Sequence, residues 1–276
     1  MQTRTPAVAG MFYAGKKNEL ENSIKQCFLH ELGPGKQPPT QSERKIYGII
    51  CPHAGYPYSG PIACHSFYAI SNYSPDVFIV VGPNHWGIGQ NVATMTDCDW
   101  ETPLGKVQVD SDIANEIMKN SDVVSDFFSH TKEHSLEVQI PMMQHIFKNF
   151  KIVPIALIDQ SKQTAQKLGK IISKVMSGKN IMVIGSSDFT HYETNEFAHE
   201  QDAALIEPIL KMDLDEFYSV LEKRNVTACG YGAIATTMVA CKELGATKGE
   251  LLKYATSGDV TKDNSSVVGY GSIIFT

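Results

Sequence analysis

Several short β-branched runs in this chain stop abruptly at glycine, proline, serine or aspartate, and a histidine follows three of those stops. Residues 46–51 run into Pro52-His53-Ala54-Gly55-Tyr56, and 77–81 into Gly82-Pro83-Asn84-His85. Residues 181–184 run into Gly185-Ser186-Ser187-Asp188-Phe189-Thr190-His191, and 151–158 into Asp159-Gln160-Ser161. Continuous apolar runs of this length suit strands covered on both faces. Residues 251–256 and 267–275 read as two more strands, the second carrying Gly269 and Gly271 as signs of a bulge or a close backbone approach. Helical periodicity lies between the strands, over 18–32, 112–118, 133–147, 163–176, 200–210, 214–223 and 233–244. Pro141 is expected to kink or divide its segment, and Pro208 counts against helix in its own. Strands alternating with helices imply an α/β fold, a three-layer α/β/α sandwich with a mostly parallel or mixed central sheet.

A length of 276 residues with 42% hydrophobic content supports one substantial core. The polar, proline-bearing stretch 33–44 reads as an exposed loop too near the N-terminus to separate domains, so residues 1–276 are taken as a single domain. The net charge of -6 is spread along the chain. That argues against nucleic acid and against an anionic membrane as partners, since both require a basic face. No apolar run reaches bilayer-spanning length, and the first residues lack the pattern of a signal peptide, so a cytoplasmic protein is expected. The six cysteines form no CxxC pair and read as free thiols.

If the histidine-bearing strands are parallel, His53, His85 and His191 land on one edge of the sheet, where open α/β proteins bind ligands. Imidazole is both the commonest transition-metal ligand and the usual acid/base group near neutral pH. A single such residue reads equally as a loop histidine ending a strand; three in one context point to a shared site. Asp188 is a ligand, an orienting group or the cap of the following helix. Cys229 lies in Thr227-Ala228-Cys229-Gly230-Tyr231-Gly232, just before a helix, where the macrodipole favours thiolate, although a buried cysteine in a tight turn would look the same. His134 and Glu137, three apart on the expected helix, share one face and suit a supporting or proton-transfer role, or an incidental surface pair. No P-loop, GxGxxG or GxSxG element is present, which disfavours nucleotide binding and serine hydrolysis.

Six short blocks occur in order: Ala9-Gly10-x-Phe12-Tyr13, Pro52-His53-Ala54-Gly55-Tyr56, Gly82-Pro83-Asn84-His85, Glu133-His134-Ser135-Leu136-Glu137, Ser186-Ser187-Asp188-Phe189-x-His191 and Cys229-Gly230. Together they resemble the Memo family over nearly the whole chain. The resemblance implies a fold like that of the class III, LigB-like extradiol dioxygenases, in which two histidines and a carboxylate hold Fe(II) and a further histidine handles protons. It carries the metal-ligand positions to His53 and His85 and the proton-handling position to His191, with Cys229 standing where the carboxylate would be. A His-His-Cys set suits Fe(II) or Cu, with Zn also accommodated, and does not require dioxygen chemistry. In prokaryotes the resemblance further implies an AMMECR1-like protein and a radical-SAM protein as partners (the AmmeMemoRadiSam system). Vertebrate relatives are described as binding phosphotyrosine peptides and as having copper-linked redox activity; no arginine-lined phosphate pocket is evident here. The expectation is a metal-dependent redox protein with an unidentified small-molecule or peptide ligand. A non-catalytic peptide- or metal-binding protein comes next, and a zinc hydrolase third.

Overall fold

The computed structural model describes residues 2–41 and 43–276; Met1 and Ser42, the latter inside the 33–44 loop, lie outside the described residues. At its centre, strands Gly48–Cys51, Ile181–Ser186, Val77–Pro83 and Lys151–Leu157 lie side by side, all parallel. The helices Tyr56–Ala69 and Lys162–Met176 cross over between successive strands of this set, as parallel pairing requires. Val267–Phe275 and Val92–Thr94 flank the parallel set in antiparallel register. The sheet continues outward through His191–Glu193 and Val124–Ser125, and Gly249–Thr256 pairs along Val267–Phe275, giving a nine-stranded mixed sheet among the described residues. A second, three-stranded sheet combines Gln2–Arg4, Cys98–Thr102 and Gly105–Gln108.

The three layers follow from the pleat. Successive side chains of a strand point to opposite faces, and here both faces are apolar. Val77, Ile79 and Val81 join one core with Val153, Ile155, Val183 and Ile273. Phe78 and Val80 join the other with Ile152, Met182, Ile184 and Ile274. Helices Lys162–Met176 and Tyr231–Glu243 cover the first face; Lys17–Leu29, Tyr56–Ala69 and Gln139–Ile146 cover the second. The helix Tyr231–Glu243 lies very close to the sheet because Gly185 has no side chain. A β-carbon there would come within 2.7 Å of Thr237 Oγ1 and 3.1 Å of the Ala233 carbonyl.

One helix is not marked by the sequence, one expected helix is shorter than its periodicity suggests, and one is present in spite of its proline. Tyr56–Ala69 is a helix although its sequence, with Pro57, Gly60 and Pro61, lacks clean periodicity; nine of its 14 residues are buried, and burial on several sides replaces amphipathicity. The 133–147 segment is helical only over Gln139–Ile146. Pro141 sits in its first turn, where the missing N–H has no partner to lose, so the proline helps start the helix instead of dividing it. The helix Asn195–Leu210 runs through Pro208 to end two residues later. No helix of the described residues is long and apolar enough to cross a membrane, and all six cysteines are free.

Candidate metal centre

Because the four central strands are parallel, their carboxyl ends share one edge. His53 follows Gly48–Cys51, His85 follows Val77–Pro83, and Asp188 with His191 follows Ile181–Ser186. All four line one cleft of about 500 Å³, together with His134, Cys229, Thr227, Phe12, Ala54, Gly55, Tyr192 and Val268. Within it, the donor atoms of His53, His85 and His134 lie within 4.8 Å of one another, as do those of His53, Asp188 and Cys229. His53 belongs to both sets. The rings of His53 and His85 meet edge to face at 5.2 Å, and those of His85 and His134 stack at 4.5 Å.

Each group is held from behind. His53 is buried; its Nδ1 lies 2.9 Å from Ser186 Oγ and its backbone N–H donates to Asp188 Oδ1 at 2.8 Å. The exposed His85 has its Nδ1 2.9 Å from Glu133 Oε1, and its backbone N–H donates to the other oxygen. Glu133 also accepts from the backbone N–H groups of His134 and Ser135. Burial by itself would raise the Glu133 carboxyl, but His85, His134 and the Ser135 N–H outweigh it and hold it down at about 2. His191 donates its backbone N–H to Thr227 Oγ1, and its Nδ1 lies 2.9 Å from the Thr227 carbonyl. Thr190, next to it, donates both N–H and hydroxyl to the buried Asp202. Burial, and then the charges of His85, His134 and His191, push the His53 imidazole well below its ordinary value, favouring the neutral ring a metal would need.

Cys229 comes to the cleft through its glycine. Gly230 packs so tightly on the turn after Ser186 that an added β-carbon would overlap the Ser186 carbonyl and come within 2.8 Å of Ser187 Cβ. The Cys229 sulfur rests 3.1 Å from His53 Nε2 and accepts the Asp188 N–H at 3.3 Å. The expected thiolate is not favoured by this setting alone. Burial, followed by the neighbouring Asp188 charge, raises the thiol well above its usual value against the hydrogen bonds from the Asp188 backbone and Ser187. A bound cation is what would reverse that balance.

Asp188 does not cap a helix: Thr194 caps the next one, accepting from the Phe197 N–H. Its carboxyl instead sits buried among the cleft donors, and burial raises it to about 6 against the opposing His53 N–H. His134 stands with His53 and His85 in the donor set. Glu137 is not brought to the cleft. Residues 133–134 belong to no regular element and 135–138 form a turn, so the shared helical face does not exist. Its fully buried carboxylate pairs with Arg4 and accepts from Tyr13 Oη and the Ala7 and Val8 N–H groups. The carboxylate serving the histidines is Glu133, four residues earlier in the same block. Spacing alone could not separate the two, although direct adjacency to His134 was a usable hint. Ser186 and Thr227 lie within the motif segments and Gln139 just after one, but nothing in the sequence singles them out from their neighbours.

Fold and site together define a three-layer α/β protein with an open strand-end cleft lined by imidazole, thiol and carboxyl groups that could hold a metal ion. The chain belongs to the Memo family: the Memo-like protein profile matches residues 4–274. A MEMO1 family protein of Nitrosopumilus maritimus is 59% identical over 274 residues, covering 99% of both chains. One from Methanopyrus kandleri is 44% identical over 278 residues, covering 99% of this chain and 98% of its own. Among solved structures, an uncharacterized protein from Escherichia coli K12 superposes with a TM-score of 0.55 at 12% identity, covering 82% of this chain and 99% of its own. At that identity the likeness concerns the fold.

Proposed function

We propose that the chain is a metal-dependent redox protein of non-haem iron dioxygenase ancestry, with His53, His85 and Cys229 as metal ligands. The observation that carries this is the convergence of two donor sets on His53, each within 4.8 Å. Nitrogen and sulfur donors of this softness suit Fe(II) or Cu, and also Zn; bound Fe or Cu would supply one-electron chemistry at the strand ends. Around that centre the chain's own groups divide the remaining work. The Thr227 carbonyl occupies the Nδ1 side of His191, which leaves Nε2 to take or release a proton at the cleft. Asp188, with its carboxyl raised to about 6, is an anion at neutrality that can take up a proton in mildly acidic conditions, and it lies beside both His53 and Cys229. His134, by stacking, and the Glu133 carboxylate, by hydrogen bonding, keep His85 in place.

Metal analysis of protein purified without oxygen, combined with absorption spectroscopy, tests the proposal. Stoichiometric Fe or Cu with a thiolate charge-transfer band is expected, with the metal lost in His53→Ala and the band lost in Cys229→Ser. Absence of stoichiometric Fe or Cu, together with unchanged binding in His53→Ala, would overturn it. Stoichiometric metal without turnover of any electron donor or acceptor would favour a metal-binding protein that is not an enzyme.

A further inference from the structure

We propose that Ser186, held by Gln139 and the Ser135 carbonyl, is a positioning residue that locks His53 in its Nδ1–H tautomer, so that Nε2 meets the cleft as a lone pair. The protons can be assigned one at a time. Ser186 Oγ lies 2.7 Å from the Ser135 carbonyl oxygen. Two oxygens that close need a proton between them, and a carbonyl has none, so the serine hydroxyl donates there. Gln139 Nε2 lies 3.0 Å from the Pro52 carbonyl and 2.8 Å from Ser186 Oγ. Pro52 can only accept, so the amide nitrogen faces this side and offers one hydrogen to each oxygen. Ser186 has then spent its single proton and one lone pair. What remains toward His53 Nδ1, 2.9 Å away, is a lone pair. The ring proton therefore sits on Nδ1, and Nε2, 3.1 Å from the Cys229 sulfur, is bare.

The arrangement differs from those behind the other two strand-end histidines. A carboxylate faces Nδ1 of His85 and a carbonyl faces Nδ1 of His191, and both are acceptors by nature. A hydroxyl can donate or accept, so the lock on His53 works only because its neighbours commit the serine. Gln139 and Ser186 are both buried, which keeps water from offering an alternative. The same contrast leaves His53 backed by a neutral group and His85 by an anion, so the two rings are unequal donors. The consequence for metal affinity rests on the proposed metal centre; the tautomer does not.

Long-range proton–nitrogen correlation NMR on chelator-stripped protein reads each histidine tautomer directly. His53 is expected in a single Nδ1–H form in the parent and in a mixture containing Nε2–H in Ser186→Ala, with Ser186→Thr restoring the single form. A parent His53 carrying its proton on Nε2, or a folded Ser186→Ala with an unchanged tautomer, would overturn the lock. Should Ser186→Ala fail to fold, the parent spectrum still decides. Titration with Co(II) supplies the second readout: Ser186→Ala is expected to bind roughly 10- to 100-fold more weakly, and Ser186→Thr close to the parent. A shifted tautomer with unchanged Co(II) affinity would leave the lock standing and remove His53 from the metal centre.

Discussion

At the scale of single residues, the molecule assigns its two neighbouring glutamates opposite duties. Glu133 accepts four hydrogen bonds, two from His85 and two from the following backbone, and has no exposure to water. Replacing it by glutamine turns one acceptor oxygen into a donor aimed at donors. Glu133→Gln should lose about 1–3 kcal/mol of stability and bind Co(II) more weakly, measured by urea unfolding and by titration. His130 offers a pH test away from the cleft. It is buried, and burial, followed by the Arg4 charge, lowers its imidazole to about 3. The unfolded chain, titrating near the ordinary histidine value, takes up this proton first. Its contribution to stability is therefore complete above about 6.5 and is lost as pH falls toward and through about 3. His130→Phe, which keeps a ring against Trp100, should flatten the stability curve in that window; an unchanged slope between pH 6 and 4 would refute the assignment.

At the scale of elements, the cleft depends on how closely the helix Tyr231–Glu243 approaches the strand Ile181–Ser186. Gly230 is the contact point, and its need for glycine is spatial, since its φ of -110° is open to any residue. Gly230→Ala must lift the helix start off the Ser186 carbonyl and carry the Cys229 sulfur away from His53. A cost of about 1–3 kcal/mol is expected from the overlap, together with a weakened thiolate charge-transfer band in the Co(II)-loaded protein. An intact band at parental affinity would show that the helix start does not set the sulfur's position. The turn 187–191 is tied on its other side by Asp202 and Thr227, so the strand end is held between two helices. Loops held this way can present side chains with the precision of regular structure.

At the scale of the whole molecule, the buried Arg4–Glu137 pair joins the N-terminal strand to the turn that follows His134. Arg4 also donates to the carbonyls of His130 and Glu133, and its guanidinium stacks 4.3 Å over Trp100. Removing one partner leaves a buried charge unmatched. Glu137→Ala should cost about 3–5 kcal/mol in urea unfolding, and Arg4→Met with Glu137→Met should recover much of it. Metal content should survive in the folded Glu137→Ala protein, because its carboxylate points away from the cleft. Loss of metal without loss of stability would return Glu137 to the site.

The strand-end histidines were legible because two simple periodicities and their interruptions mark strands, helices and stops, and parallel strands must share an edge. Those rules were enough to place His53, His85 and His191 at one rim. They also yielded the two-sided sheet, since uninterrupted apolar runs have no polar face to leave uncovered. The buried helix Tyr56–Ala69 was not legible, because a helix covered on most sides has no periodicity to show. Nor was the choice between Glu133 and Glu137. A carboxylate's duty is set by what lies opposite it, and Arg4 and His85 are distant in sequence from both. The state of the Cys229 sulfur was likewise decided only in three dimensions. Local helix chemistry favours thiolate, whereas enclosure beside Asp188 favours thiol, and the balance between them belongs to the assembled cleft. Sequence determined which chemical groups reach the rim; the fold decided which of them face one another, and so which protons and charges each must hold.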